Sequence, residues 1–128
     1  MMKRSLILVL SLLMLVLCIP ALAESTDWNY DANYAILRGY DGAGGDVVVP
    51  AEIDGFTVDV IGVGVFKGDT ITSLTMPETV LELRSNAVSS CEKLTSVTLP
   101  QSLVVINRMN FFSCNALSEV TIPAGVRY

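Results

Sequence analysis

The feature that most constrains this chain is that it repeats itself every 23 residues. Residues 71–93, ITSLTMPETVLELRSNAVSSCEK, lie over residues 94–116, LTSVTLPQSLVVINRMNFFSCNA, and LSEVTIPAGV (117–126) opens a third copy. One offset aligns Pro77 with Pro100 and Pro123, Leu74 with Val97 and Val120, and Cys91 with Cys114. An older copy stands upstream: Ile61-Gly62 and Phe66 occupy the places of Leu83-Arg84 and Val88, with Asp69 at the cysteine position. Pro50 precedes Pro77 by 27 residues, through a net insertion containing the turn Ile53-Asp54-Gly55. A period of this length is the mark of a stacked array rather than a compact two-layer domain.

Each repeat carries apolar residues at relative positions 1, 4, 6, 10 and 13, which in residues 71–93 are Ile71, Leu74, Met76, Val80 and Leu83. That spacing describes one coil of a solenoid. The alternation Leu74-Thr75-Met76 is strand-like, and the proline ends the strand because it has no N–H to donate. A second short extended piece reads VLEL (80–83) and LVVI (103–106), and the segment before each cysteine reads as a tight helical turn. Stacked coils sit ~4.8 Å apart, so equivalent side chains form ladders. Phe66, Val88 and Phe111 make one of them. A single coil cannot bury its apolar edge, so stability comes from the stack.

The 128-residue chain is 52% apolar, a value suggestive of a membrane protein until its distribution is read. Lys3 and Arg4 precede an apolar run over residues 6–19, then Pro20 and Ala21-Leu22-Ala23. A basic end, a short apolar core and an A-x-A site make a secretory signal peptide over residues 1–23. The run would span roughly 21 Å as a helix, short of the ~30 Å bilayer core. Cys18 follows the bulky Leu17 where lipid attachment wants a small residue, so it reads as filler of the apolar core. Beyond Ala23 the apolar share falls to about 46%, ordinary for a soluble domain. Six bases against 13 acids leave seven net negative charges there, which argues against nucleic acid. The chain has no histidine, so Ser-His, Cys-His and His-metal chemistry are excluded.

The copies LTSVTLPQSLVVINRMNFFSC and ITSLTMPETVLELRSNAVSSC resemble the BspA-type leucine-rich repeats of bacterial surface proteins. The lead-in YAILRGYDGAGGDVVVPAEIDGFTVDVIGVGVF resembles the opening of such arrays: a strand, a Gly-rich turn and a second strand before the first coil. The resemblance covers residues 34–128. It implies a mostly β, right-handed leucine-rich-repeat solenoid of about three 23-residue coils with an N-terminal β-hairpin cap. Residues 24–50 are expected as the cap and 51–128 as the repeats, the last coil incomplete at Tyr128; a fragment of a longer array is the favoured reading of that stop. The resemblance further implies an exported or surface-displayed, adhesin-like binder of host or extracellular proteins, with no enzymatic activity, no catalytic residues and no cofactor. A structural spacer and a glycan-binding accessory module are the alternatives, and no membrane span remains once the leader is removed. The family prefers Ala-Phe before its Ser-Gly-Cys turn; here Asn110 replaces the small residue and Val88 the aromatic, and Asn110 needs a hydrogen-bond partner if buried. Phe112 stands where other coils have Lys67 and Ser89, and is expected as an exposed aromatic.

The outward strand positions are Thr72, Ser73 and Thr75; Thr95, Ser96 and Thr98; and Ser118, Glu119 and Thr121. They make a hydroxyl-rich face that reads either as ordinary exposed strand residues or as a broad contact surface for a protein or glycan. Cys91 and Cys114 read as a buried reduced ladder; a disulfide between them is the alternative that export permits, and metal binding the remotest. The turn 41–46, DGAGGD, reads as a hairpin turn, with calcium as its alternative. Trp28, Tyr30, Tyr34 and Tyr40 read as a cover over the open end of the solenoid rather than a ligand site. Carboxylates are scattered, and nothing builds the cleft a pair of catalytic acids needs.

Overall fold

The computed structural model describes residues 25–68 and 70–127. The expected leader, with Lys3, Arg4 and Cys18, lies outside the described residues, as do Asp69 and Tyr128. After a 3-10 turn (Ser25–Asp27), twelve short strands follow: β1 Trp28–Asp31, β2 Ile36–Tyr40, β3 Gly45–Val48, β4 Glu52–Ile53, β5 Phe56–Thr57, β6 Val60–Ile61, β7 Phe66–Lys67, β8 Ile71–Thr75, β9 Glu82–Leu83, β10 Val88–Ser89, β11 Ser96–Thr98 and β12 Val105–Ile106.

They assemble as a solenoid with three parallel ladders. One runs β3-β8-β11, a second β2-β6-β9-β12, and the third pairs β7 with β10. The coils are therefore β3/β6/β7, then β8/β9/β10, then β11/β12 and the turn after it. Register is set by the repeat: Val47, Leu74 and Val97 stack, and so do Leu37, Ile61, Leu83 and Ile106. The inward positions named from the spacing, Ile71, Leu74, Met76, Val80 and Leu83, are all buried. Each such side chain contributes about 1.5–3 kcal/mol on leaving water, and that burial replaces the long-range packing of a two-layer domain. The spacing of 1, 4, 6 rather than strict alternation has a visible cause. Between β3 and β8 the register slips, with Gly45 opposite Ile71 but Asp46 opposite Ser73, so Thr72 is the extra residue of a bulge.

The cap is an antiparallel hairpin of β1 and β2, laid on the edge of the second ladder. Its strands differ from those the lead-in suggested. β2 and β3 do not pair with each other; the Gly-rich turn between them carries the chain from the second ladder to the first. Gly44 (φ 85°) makes that crossing, and a Cβ there would run into the Thr70 carbonyl, while Gly45 N–H donates to the same oxygen at 2.7 Å. β3 thus already belongs to the first coil, ahead of the expected start at residue 51. The extra length between Pro50 and Pro77 is a small hairpin, β4-Asp54-Gly55-β5, whose two turn residues both have positive φ (51° and 84°) as a type I′ turn requires.

The segments before the cysteines are not helical. β10 is a two-residue strand, and left-handed residues flank it at Asn86 and Ser90, in line with Gly64 and Gly68 one coil earlier. The next coil bends further: Met109, Phe111 and Ser113 all have positive φ and no strand forms. There Asn110 repairs the ladder. Phe66 N–H donates to the Ala87 carbonyl at 2.8 Å, but Val88 N–H donates instead to the side-chain Oδ1 of Asn110 at 3.1 Å. Its Nδ2 donates to the carbonyls of Arg84 and Asn107 at 3.0 and 2.9 Å. The polar residue in a small-residue place is fully satisfied.

Candidate strand-face interface

β8 positions the centre of the outward face. Ile71 and Leu74 anchor it in the core, leaving Thr72, Ser73 and Thr75 half-exposed. β11 pairs parallel to it, placing Ser96 beside Ser73 and Thr98 beside Thr75. Thr95 precedes β11 and locks the two coils together: its N–H and its hydroxyl both donate to the Thr72 carbonyl, at 2.9 and 3.1 Å. Six of the nine residues assigned to the face from sequence therefore lie together across two coils.

The remaining three behave differently. Ser118, Glu119 and Thr121 are exposed, but residues 117–122 lie outside any strand. The inward positions open in the same direction: Met76 and Leu99 are buried, whereas Ile122, their equivalent, is 49% exposed. Leu117 and Val120 still pack partly buried against the core, but the third copy does not continue the ladder of strands.

Two residues of the face escaped the sequence reading. Asp46 stands opposite Ser73 and Val48 opposite Thr75, through β3. Asp46 Oδ1 accepts the Ser73 hydroxyl at 2.7 Å and the Thr72 hydroxyl at 3.4 Å, and Val48 is 64% exposed. The face is thus two rows about 4.8 Å between neighbours: Asp46, Ser73, Ser96 and Val48, Thr75, Thr98. The signal was present in Val47-Val48-Val49-Pro50, which copies Leu74-Thr75-Met76-Pro77. It was obscured because the inserted hairpin breaks the 23-residue spacing there.

The other candidates serve the stack. Cys91 and Cys114 are unbridged and buried. The Cys91 sulfur lies 3.5 Å from the carbonyl oxygens of both Phe66 and Ser89, which share its single S–H, and the Cys114 thiol donates to the Phe112 carbonyl at 3.8 Å. Burial, with Cys114 alongside, pushes the Cys91 thiol up to about 11, so it is no nucleophile near neutrality. Glu78 is a cap for the next coil, accepting from Gln101 and Ser102 N–H at 3.2 Å each. The 41–46 turn spends Asp46 on hydroxyls, and among the described residues no group of three or more His, Cys, Asp or Glu is placed to hold a metal. The N-terminal aromatics divide. Trp28 and Tyr40 cover Phe66, with ring centroids 6.3 and 5.9 Å away; Tyr30 is partly buried against the core and packs on Phe56, and Tyr34 is exposed beneath Arg38.

Comparison with known proteins agrees with this architecture. A family model described as the BspA type leucine-rich repeat region (6 copies) matches residues 52–128. The crystal structure of the T. pallidum leucine-rich repeat protein (TpLRR) is similar with a TM-score of 0.74 and 25% identity, over 84% of this chain and 51% of that one. This chain therefore spans about half the length of the treponemal protein. A leucine-rich repeat protein from Bacteroides capillosus is similar with a TM-score of 0.67 and 33% identity, over 77% of this chain and 78% of that one. No curated protein matches. With repeat, register and relatives in agreement, the chain belongs to the BspA-type leucine-rich repeat family.

Proposed function

We propose that this chain is an exported, non-enzymatic module of the bacterial surface that binds an extracellular or host protein through the β3-β8-β11 face. BspA-type repeats form a protein-interaction fold and are typical of surface-associated proteins. The leader is cleaved after Ala23, and no helix among the described residues is long and apolar enough to cross a membrane. The observation that carries the reading is the pair of outward rows, Asp46-Ser73-Ser96 and Val48-Thr75-Thr98. They offer hydroxyls, one carboxylate and one exposed valine on a stiff, flat support. Such a surface suits a broad protein contact better than a pocket for a small molecule. Little side-chain entropy is lost when short side chains are immobilised.

The test replaces Thr75 and Thr98 with lysine, singly and together, and measures retention on immobilised extracellular-matrix proteins. Both threonines point away from the core, so the thermal midpoint should hold. Retention should fall by about tenfold or more, equivalent to about 1.4 kcal/mol. Unchanged retention with an intact fold would remove this face as the binding surface.

A further inference from the structure

The β4-β5 hairpin is an addition to the repeat. The later coil passes from Pro77 to Pro100 in 23 residues without it, so the ladders do not need it. It is nevertheless held firmly. Ile53 is buried in the core, the Tyr30 hydroxyl donates to the Thr57 carbonyl at 2.6 Å, and the Tyr30 ring stacks on Phe56 with centroids 6.3 Å apart and planes 25° apart. What the hairpin presents is Phe56, 50% exposed. A fixed, exposed ring is a preorganised anchor, since little freedom remains to be lost on binding.

The charge around it selects the partner. Residues 25–68 carry seven acids against Arg38 and Lys67, whereas residues 70–127 carry four of each sign. Glu52 and Asp54 lie on the hairpin itself. Asp59 and Asp31 stand near the Tyr30 hydroxyl: burial first, then these two carboxylates, raise its pKa. Arg38 is occupied by Asp31 at 2.8 Å. Ile53 pairs with Phe56 and Glu52 with Thr57, so Glu52 lies across the hairpin from the ring and acts on it through the field of the acidic segment; the exposed ring and that net negative charge both attract a cation.

We propose that the exposed Phe56 ring, backed by Tyr30 in the acidic segment of Glu52, Asp54 and Asp59, docks a lysine- or arginine-bearing segment of an extracellular protein, with one cationic side chain over the Phe56 ring. This contact uses residues separate from the β3-β8-β11 face. Either surface can fail without the other.

The experiment is a titration of the intact protein with tri-arginine, followed by two-dimensional NMR, with tri-glutamate and a neutral glucan oligomer as the other probes. Saturable shifts should concentrate on the ring of Phe56 and the amides of β4 and β5, and weaken as salt is added. Phe56→Leu keeps an apolar side chain but removes the quadrupole, and should weaken binding roughly two- to fivefold. Glu52→Gln with Asp54→Asn should weaken it by up to about fivefold. Thr75→Lys with Thr98→Lys should leave it unchanged, and the same spectra show that every variant is folded. The proposal is overturned if shifts spread evenly to Glu78, Glu92 and Glu119, if Phe56→Leu binds as well as the parent, or if tri-glutamate or the glucan competes equally.

Discussion

Cys91 shows how a coil position fixes the chemistry of a side chain. Sequence alone points to a buried reduced ladder, with a disulfide as the alternative because neighbouring coils bring two cysteines within bridging range. The structure adds complete burial and two carbonyls that share the single Cys91 S–H. The thiol's pKa rises from an ordinary 9.0 to about 11. A raised folded-state pKa contributes stability that is whole below the unfolded value and is lost as pH climbs through the folded one. Urea stability of the wild type should therefore decline between about pH 9 and 11 relative to Cys91→Ala, which lacks the titrating group. Parallel curves for the two proteins would contradict the assignment.

At the scale of the element, each short strand holds its place through the coil beside it. The ladder from β7 to β10 would be expected to run on into residues 111–112, and the Phe66, Val88, Phe111 row does continue, with Phe111 N–H donating to the Val88 carbonyl at 2.7 Å. The reciprocal bond is supplied by the side chain of Asn110. Asn110→Ala leaves Val88 N–H without an acceptor and deprives two carbonyls of their donor. The expected loss is about 1–3 kcal/mol in denaturant unfolding. A loss below about 0.5 kcal/mol would mean that water replaces the amide. Sequence reading flagged Asn110 as a buried-polar problem; it could not name the partners, because they come from a neighbouring coil and from a turn three residues away. The left-handed positions were equally hidden. Gly64 announces one, but Met109 at φ 62° in the same place does not.

For the molecule as a whole, stability is a sum over coils and the contacts between neighbours, so an end must be closed. The β1-β2 hairpin closes one end through Trp28, which is buried against Tyr40 and Phe66. Trp28→Ala should cost about 3–5 kcal/mol, the usual range for a large buried aromatic. Amide protection should fall first in β6 and β7, the first coil beneath the cap. A cost under about 1 kcal/mol would show the hairpin to be an appendage rather than a closure. The four N-terminal aromatics read alike in sequence. The cover holds Trp28 and Tyr40; Tyr30, partly buried against the core, packs on Phe56 of the inserted hairpin, and Tyr34, in the turn between β1 and β2, is exposed.

The sequence by itself determined the coil: a 23-residue period with a fixed apolar spacing admits one way of burying its side chains, so the inward ladders and the buried cysteines follow from local spacing. Only the tertiary structure decided which segments complete those ladders. β3 joins the first coil across an inserted hairpin, residues 117–122 repeat the strand sequence without forming a strand, and Asp46 and Val48 enter the face. The reason is that a β-strand is defined by its neighbour. Periodicity states which side chains can face inward; the hydrogen bonds that make a strand come from another coil, and whether that coil is in place is settled only when the chain has closed on itself.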